Sequence, residues 1–121
     1  MRVSNLMTRN IISLAPGDTV PRAKHYFRTN YIQHLMVIDT RLVVGIVTFE
    51  QLRGRHDTEA VRDFMVKDVV SVDSETTLRK AASLMIGRST GCLPVIDGGK
   101  LTGIITTSDL RRAVSGDDTM R

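Results

Sequence analysis

Apolar residues in this chain fall into short runs separated by polar turns, and the same series of runs occurs twice. Each series opens with a run rich in β-branched residues, residues 11–14 and 69–72, which predicts a strand. Two further runs follow in each series, residues 35–38 with 42–47 and residues 93–96 with 101–105, and each pair predicts a hairpin. The second hairpin turns at Asp97-Gly98-Gly99-Lys100, where glycine accepts the positive φ of a tight turn.

Between the first strand and the hairpin of each series, the apolar positions change to a helical period. They recur at the i, i+3, i+4, i+7 spacing of one helical face, at Val20, Ala23 and Phe27 and at Leu78, Ala81, Ala82 and Met85. A short last helix is predicted at residues 49–53 and again at 107–114, and the polar residues 54–59 read as a linker. The predicted order is β-α-β-β-α, twice.

The two series are an internal sequence repeat. A shift of 58 residues aligns residues 3–52 with residues 61–110 without a gap, and 13 of these 50 positions are identical. Because a unit of about 50 residues is marginally stable alone, we expect the two to share one module. The predicted fold class is α+β, with two tandem β-α-β-β-α repeats, residues 1–56 and 57–121, packed sheet to sheet with pseudo-twofold symmetry around a cleft.

Composition narrows the function classes. The chain has 121 residues and a net charge of +4, with scattered basic residues and few aromatic ones, so nucleic-acid binding is disfavoured. No apolar run approaches the roughly 18 residues of a membrane helix, and no signal peptide is apparent at residues 1–8. With Cys92 as its single cysteine, predicted to be an inert buried thiol, the chain fits a reducing cytoplasm.

Two motifs stand out in the second repeat, Leu-Pro-Val-Ile-Asp at 93–97 and Gly-Ile-Ile-Thr-Thr-Ser-Asp-Leu at 103–110, with weaker copies at 35–39 and 45–52. Together with Met7 and Met65 near the start of each repeat, they make the chain resemble a pair of cystathionine β-synthase (CBS) domains. The resemblance implies a regulatory, non-catalytic module that senses an adenosyl compound in the cleft between the repeats: AMP, ADP, ATP or S-adenosylmethionine. It also implies a homodimer that forms a four-repeat disc.

The main candidate site begins where the second repeat passes from strand to helix, at Thr106, Ser108 and Asp109. The free N–H groups and the dipole of a helix N-terminus suit phosphate, and Gly103 would let the backbone approach a ligand closely. A carboxylate accepts two hydrogen bonds at once, and the resemblance assigns Asp109 to a ribose. The alternative is that Thr106 and Asp109 only cap the helix.

The resemblance places the adenine against the first repeat. The residues at the matching positions are Met7, Asn10, Ile12, Ile32 and Gln33, with Ile104 facing them. Isoleucines here would sandwich a flat ring, and backbone groups near Asn10 and Gln33 would read its polar edge. Plain core packing is the alternative for the isoleucines.

A mirror site is expected to be weaker. Gln51 stands where Asp109 does and cannot offer two carboxylate oxygens. Glu50 adds negative charge where a phosphate would sit. We therefore expect one competent site per chain and a second that is empty or altered, lined by Thr48, Glu50 and Gln51 with Asp68, Val70, Thr90 and Gly91.

Other functions are less favoured by the sequence. His25, His34 and His56 lie apart and form no metal-ligand spacing, although His34 could contact a phosphate. No catalytic nucleophile with an oriented base is visible, so we expect no enzymatic activity and no metal. The alternative function is a dimerisation or partner-docking protein with a vestigial cleft.

Overall fold

The computed structural model describes residues 1–30 and 32–115 and divides the chain into two compact units. One unit combines Met1–Ile11 with Val70–Arg121, and the other is Ile12–Val69. We call them the second-hairpin unit and the first-hairpin unit, because each contains one of the two predicted hairpins. The units are offset from the repeats along the chain, since each repeat's opening segment lies in the unit of the other repeat's hairpin.

The first-hairpin unit is a three-stranded sheet with one long helix. Its strands are β1 (Ser13–Leu14), β2 (His34–Asp39) and β3 (Leu42–Thr48), in the order β1-β2-β3, with β1 parallel and β3 antiparallel to β2. Helix α2 (Val20–Asn30) lies between β1 and β2, and two 3₁₀ turns follow β3 at Phe49–Leu52 and Val61–Asp63. The helix buries the predicted face of Val20, Ala23 and Phe27 in the core.

The second-hairpin unit contains one hairpin and three helices. Strands β4 (Cys92–Asp97) and β5 (Lys100–Thr106) pair antiparallel, and Val72 adds a single parallel bridge to Val95. The helices are α1 (Val3–Leu6), α3 (Leu78–Gly87) and α4 (Thr107–Ser115). Helix α3 begins at a cap in which the Thr77 hydroxyl accepts a hydrogen bond from the Lys80 N–H at 3.1 Å.

The predicted α+β class, long helices and hairpins are confirmed, and three details differ. The first predicted strand is reduced to Ser13–Leu14, and its copy at 69–72 is reduced to the bridge at Val72. The last helix of the first repeat is only a 3₁₀ turn. Short helical segments at Val3–Leu6 and Val61–Asp63 were not predicted, although Val3 and Val61 are fully buried at equivalent repeat positions.

Each opening segment is held on a hairpin by a pair of backbone hydrogen bonds. In the second-hairpin unit, the N–H groups of Thr8 and Ile104 each donate to the other residue's carbonyl, at 2.8 and 2.9 Å. Ile46 and Val66 make the equivalent pair in the first-hairpin unit, both at 2.9 Å. These bonds place residues near the start of each repeat beside the strand that leads into the candidate site.

Gly103 makes room for this packing. A Cβ atom there would lie 2.8 Å from the Met7 sulfur and 3.0 Å from the Thr8 carbonyl oxygen. The sequence suggested that glycine is needed here to admit a ligand. In the structure, glycine is needed because the opening segment packs against this position. Gly45, its copy, faces the Met65 side chain in the same way.

Candidate ligand-binding site

Asp109 closes the turn from β5 into α4. Its carboxylate accepts hydrogen bonds from the Thr106 N–H at 2.9 Å and the Thr106 hydroxyl at 3.2 Å, while the Asp109 N–H donates back to that hydroxyl oxygen at 3.3 Å. This reciprocal arrangement is a capping box. The capping role that the sequence allowed for Thr106 and Asp109 is thus present in the structure.

The second oxygen of Asp109 joins two more elements. It accepts a hydrogen bond from the Thr8 hydroxyl at 3.3 Å and from the guanidinium of Arg112, one helical turn further along α4. Asp109 is only 2% exposed. A buried carboxylate is costly unless it is paired and hydrogen-bonded, and here both oxygens are engaged. A ribose could use this carboxylate only by replacing one of these donors.

The charge of Asp109 also affects Cys92, the first residue of β4. Burial raises the pKa of the Cys92 thiol to about 12, and the Asp109 charge adds to this rise. Because a thiol nucleophile reacts as the thiolate, Cys92 stays protonated and unreactive at neutral pH. The prediction that this thiol is buried is confirmed, since Cys92 is 1% exposed, and its inertness remains a prediction.

The corresponding corner of the first repeat has the same geometry with an uncharged side chain. The Thr48 N–H donates to the Gln51 Oε1 at 2.7 Å, as the Thr106 N–H does to Asp109. The Gln51 Nε2 then donates to the Phe64 carbonyl oxygen at 3.2 Å. Gln51 therefore closes its turn without bringing a charge into the corner.

A cavity of about 600 Å³ opens beside this corner. Its described lining comes from the segment that enters β2 and the segment that leaves β3, and all of it belongs to the first-hairpin unit. The Phe49 N–H joins the two segments by donating to the Gln33 carbonyl oxygen at 3.3 Å. The lining residues are Ile32, Gln33, His34, Thr48, Phe49 and Glu50.

His34 enters this cavity as an uncharged side chain. Burial lowers the pKa of its imidazole below the ordinary value of 6.5. At neutral pH the ring is therefore mainly neutral, and it offers a hydrogen bond rather than a positive charge. His34 therefore offers a phosphate no positive charge, and the contact through a hydrogen bond remains a prediction.

The predicted site residues are divided between the two units. The second-hairpin unit contains Met7, Asn10, Val70, Thr90, Gly91, Ile104, Thr106, Ser108 and Asp109. The first-hairpin unit contains Ile12, Ile32, Gln33, Thr48, Glu50, Gln51 and Asp68.

Within each unit, several of these residues lie together at the ends of that unit's hairpin strands. The Thr107 N–H donates to the Gly91 carbonyl oxygen at 3.0 Å, so Gly91 lies beside the Asp109 corner. Likewise, Gln33 and Ile32 share a cavity with Thr48 and Glu50. The assignment of these residues to a main and a mirror ligand site remains a prediction.

Three functional candidates were missed from the sequence. Arg112 lies three residues after Asp109 on a predicted helix, and that spacing alone indicates contact. Phe49 stands at the repeat position of Thr107 and was not predicted to line a cavity, whereas the residue is 53% exposed and lines one. Thr8 carries no local signal, because only the tertiary structure brings residue 8 to residue 109.

Two kinds of feature do not occur in residues 1–30 and 32–115. These residues contain no group of three or more metal-ligating side chains, and none of their helices is long and apolar enough to cross a membrane.

A family model and the solved structures point to the same family. The family model for the CBS domain matches residues 3–55 and 61–116. Inosine-5'-monophosphate dehydrogenase of Korarchaeum cryptofilum is 32% identical over 111 residues, which are 90% of this chain but only 23% of that enzyme. The chain thus spans about a quarter of this curated relative.

Two solved structures match almost the whole chain. A putative signal-transduction protein with CBS domains from Burkholderia ambifaria has a TM-score of 0.88 and 28% identity, covering 97% of this chain and 96% of that one. The protein CBSX2, solved in complex with AMP, has a TM-score of 0.82 and 27% identity, covering 97% of this chain and 98% of that one.

Proposed function

The chain belongs to the CBS domain family, and from this premise we propose that it is a regulatory module that senses an adenosyl compound. The observation that carries the proposal is the likeness to CBSX2, which was solved in complex with AMP. The likeness covers 97% of this chain. AMP, ADP, ATP and S-adenosylmethionine are the candidate ligands. The proposed role is regulatory and not catalytic, although dehydrogenases contain similar segments.

The proposed main site is the Asp109 corner. In the ligand-bound state, ribose hydroxyls donate to the Asp109 carboxylate in place of Arg112, whose side chain is 67% exposed and free to turn toward solvent. The released guanidinium then pairs with the phosphate, and the exposed Ser108 hydroxyl donates to the same group. Asp109 alone would repel an anionic ligand, and Arg112 supplies the positive charge that offsets this repulsion.

This exchange gives ligand binding a structural consequence. Asp109 connects Thr8 in the opening segment with β5 and α4. A ligand that changes these bonds changes how firmly the opening segment is held. It can shift the population of two arrangements only if it binds one of them better than the other.

Isothermal titration calorimetry of the full chain with AMP, ADP, ATP and S-adenosylmethionine tests the proposal. We expect at least one of them to bind with a Kd below about 1 mM, which corresponds to a binding free energy of about −4 kcal/mol. Asp109→Asn should weaken binding about tenfold or more, since a hydrogen bond to a charged group contributes about 1.5–3 kcal/mol. Arg112→Ala should weaken the phosphate-bearing ligands more than adenosine.

We expect the Asp109→Asn variant to fold, because the amide of Gln51 already closes the equivalent turn in the first repeat. Thermal unfolding of that variant checks that the protein remains folded. The proposal is wrong if no adenosyl compound binds, or if Asp109→Asn binds as the wild type does. Nucleotide-independent capture of a protein partner, together with no ligand binding, would support the docking alternative.

A further inference from the structure

Helix α2 carries positive charge that no residue of the helix balances. Its 11 residues include Arg22, Lys24 and Arg28 but no Asp or Glu. Arg22, His25 and Arg28 are exposed, and Lys24 is partly exposed. Lys24 and Arg28 lie one helical turn apart, and like charges at this spacing slightly destabilise a helix. Helix stability therefore does not account for this pattern. We call the surface formed by Arg22, Lys24, His25, Tyr26 and Arg28 the α2 basic face.

The carboxylates of the described chain offset only one of these charges. Within residues 1–30 and 32–115, Arg22 alone of the three cations forms an ion pair, with Asp18 at 3.5 Å. The Arg28 Nε instead donates a hydrogen bond to the Lys24 carbonyl oxygen at 3.4 Å, which holds the guanidinium along the surface of its own helix. In the part of the chain that the structure describes, two cations of the α2 basic face are thus without a carboxylate partner.

Helix α3, the copy of α2 in the second repeat, shows that the fold does not require these charges. The shift of 58 residues places Ala82 at the position of Lys24 and Ile86 at that of Arg28. Ile86 is 80% exposed, so an apolar side chain is accepted on this part of the helix surface. The charges of α2 therefore need an explanation outside the packing of the repeat.

Tyr26 holds one cation of the α2 basic face in place. The Arg22 Nη2 donates a hydrogen bond to the Tyr26 hydroxyl at 3.0 Å, and the guanidinium carbon lies 5.4 Å from the centre of the Tyr26 ring. Tyrosine and arginine are enriched at protein–protein interfaces, where they often contribute most to the binding energy. This pair therefore favours a protein as the partner.

The size and sign of the α2 basic face disfavour two other partners. A helix of 11 residues is roughly 16 Å long, at about 1.5 Å per residue. It offers Arg22, Lys24 and Arg28 as fixed cations, fewer than the six to ten or so phosphate contacts that can hold a protein on duplex DNA. A symmetric contact between α2 and its copy in a second molecule would bring like charges together.

We propose that the α2 basic face docks an acidic segment of a partner protein, whose carboxylates pair with Lys24 and Arg28. Arg22, held against Tyr26, is the third pairing group and can exchange Asp18 for a carboxylate of the partner. None of these residues is a candidate for ligand binding, so the inference goes beyond the proposed function and does not depend on it. The face gives a regulatory module a surface through which it acts on another protein.

The probe is a fluorescently labelled peptide of alternating Glu and Ala residues, and its anisotropy is measured with the full chain at low ionic strength. We expect the wild type to bind it. Lys24→Gln combined with Arg28→Gln should weaken binding about fivefold, because two exposed ion pairs are lost. The matched control is Arg79→Gln combined with Lys80→Gln, which removes two exposed charges from the first turn of α3 and should leave the affinity nearly unchanged. Thermal unfolding checks that both variants remain folded.

Failure of the wild type to bind the peptide would overturn the inference, as would equal losses of affinity in the α2 and α3 variants. A labelled oligothymidylate that binds the wild type more tightly than the peptide, and more weakly after the α2 substitutions, would assign the face to nucleic acid instead. Light scattering tests for a second copy, since a wild-type dimer that dissociates in the α2 variant would show that the face joins two copies. These titrations contain no adenosyl compound, so their failure leaves the proposed function unaffected.

Discussion

The corners that follow β3 and β5 are closed by the same kind of capping hydrogen bond, but the capping side chains differ in chemistry. At one corner Asp109 accepts the Thr106 N–H, and at the other Gln51 accepts the Thr48 N–H. The carboxylate requires two further donors, Thr8 and Arg112. The Gln51 amide instead donates one hydrogen of its Nε2 to the Phe64 carbonyl oxygen.

This difference shows that the cap itself does not require a negative charge. Because the Gln51 amide accepts the equivalent backbone N–H without a charge, the charge at Asp109 must be explained by what it adds. It ties the opening segment and α4 to β5, and it provides the acceptor that the proposed ribose contact needs. Matched substitutions in the two repeats test this difference.

Removing the two capping side chains should destabilise the protein unequally. Asp109→Ala is expected to lower the free energy of unfolding by about 2–3 kcal/mol, because several hydrogen bonds to one buried charge are lost. Gln51→Ala should cost about 1 kcal/mol, as for an ordinary cap. Urea unfolding measures both. Equal losses would show that Thr8 and Arg112 add nothing to the cap.

The two glycines beneath the opening segments give a second comparison. Gly103→Ala would place a Cβ against the Thr8 carbonyl oxygen and the Met7 sulfur, and we expect a loss of about 2 kcal/mol. At Gly45 the three atoms nearest to the new Cβ would all belong to the Met65 side chain and none to the backbone, so Gly45→Ala should cost about 1 kcal/mol. Thermal unfolding compares them.

The matched control replaces the obstructing side chain. Met7→Ala combined with Gly103→Ala should recover only part of the loss, because the Thr8 carbonyl oxygen remains in place. Full recovery would contradict the role given to the Thr8 backbone.

The hairpin turns are expected to show the smallest effect. Gly98 and Gly99 have φ of 56° and 79°, and the copies of these positions, Thr40 and Arg41, have φ of 51° and 70°. A β-branched residue in this region is strained, so Thr40→Gly should raise the free energy of unfolding by about 0.5 kcal/mol after the entropy cost of glycine. Gly98→Thr should lower it by about 1 kcal/mol. A loss of stability in Thr40→Gly would show that Thr40 is not strained.

Much of the fold could be predicted from local pattern. The helical period of Val20, Ala23 and Phe27 predicted α2, and the apolar runs predicted both hairpins, because these features depend on neighbours a few residues away. The short length of β1 was not predicted, since it depends on how many residues of β2 form backbone hydrogen bonds with it. The 3₁₀ turn at Phe49–Leu52 instead of a helix was missed as well, and nothing in the structure explains that difference from α4.

The candidate site was predictable in its residues but not in its bonds. Thr106, Ser108 and Asp109 were recognised from their motif, and the mirror corner from Gln51. Their hydrogen bonds depend on segments far away in sequence, such as Thr8, which lies 101 residues from Asp109. The cavity beside Phe49 was likewise hidden, because its walls come from two separate segments.

By itself, the sequence determined that there are two repeats and where their long helices and hairpins lie, because both are written in local period and internal identity. Its motifs carried the resemblance to a family. The tertiary structure alone decided that each opening segment belongs with the other repeat's hairpin, that Met7 occupies the space over Gly103, and that Asp109 is buried with both oxygens engaged. The physical reason is that the buried charge of Asp109 and the open surface at Gly103 find their partners only when distant parts of the chain meet.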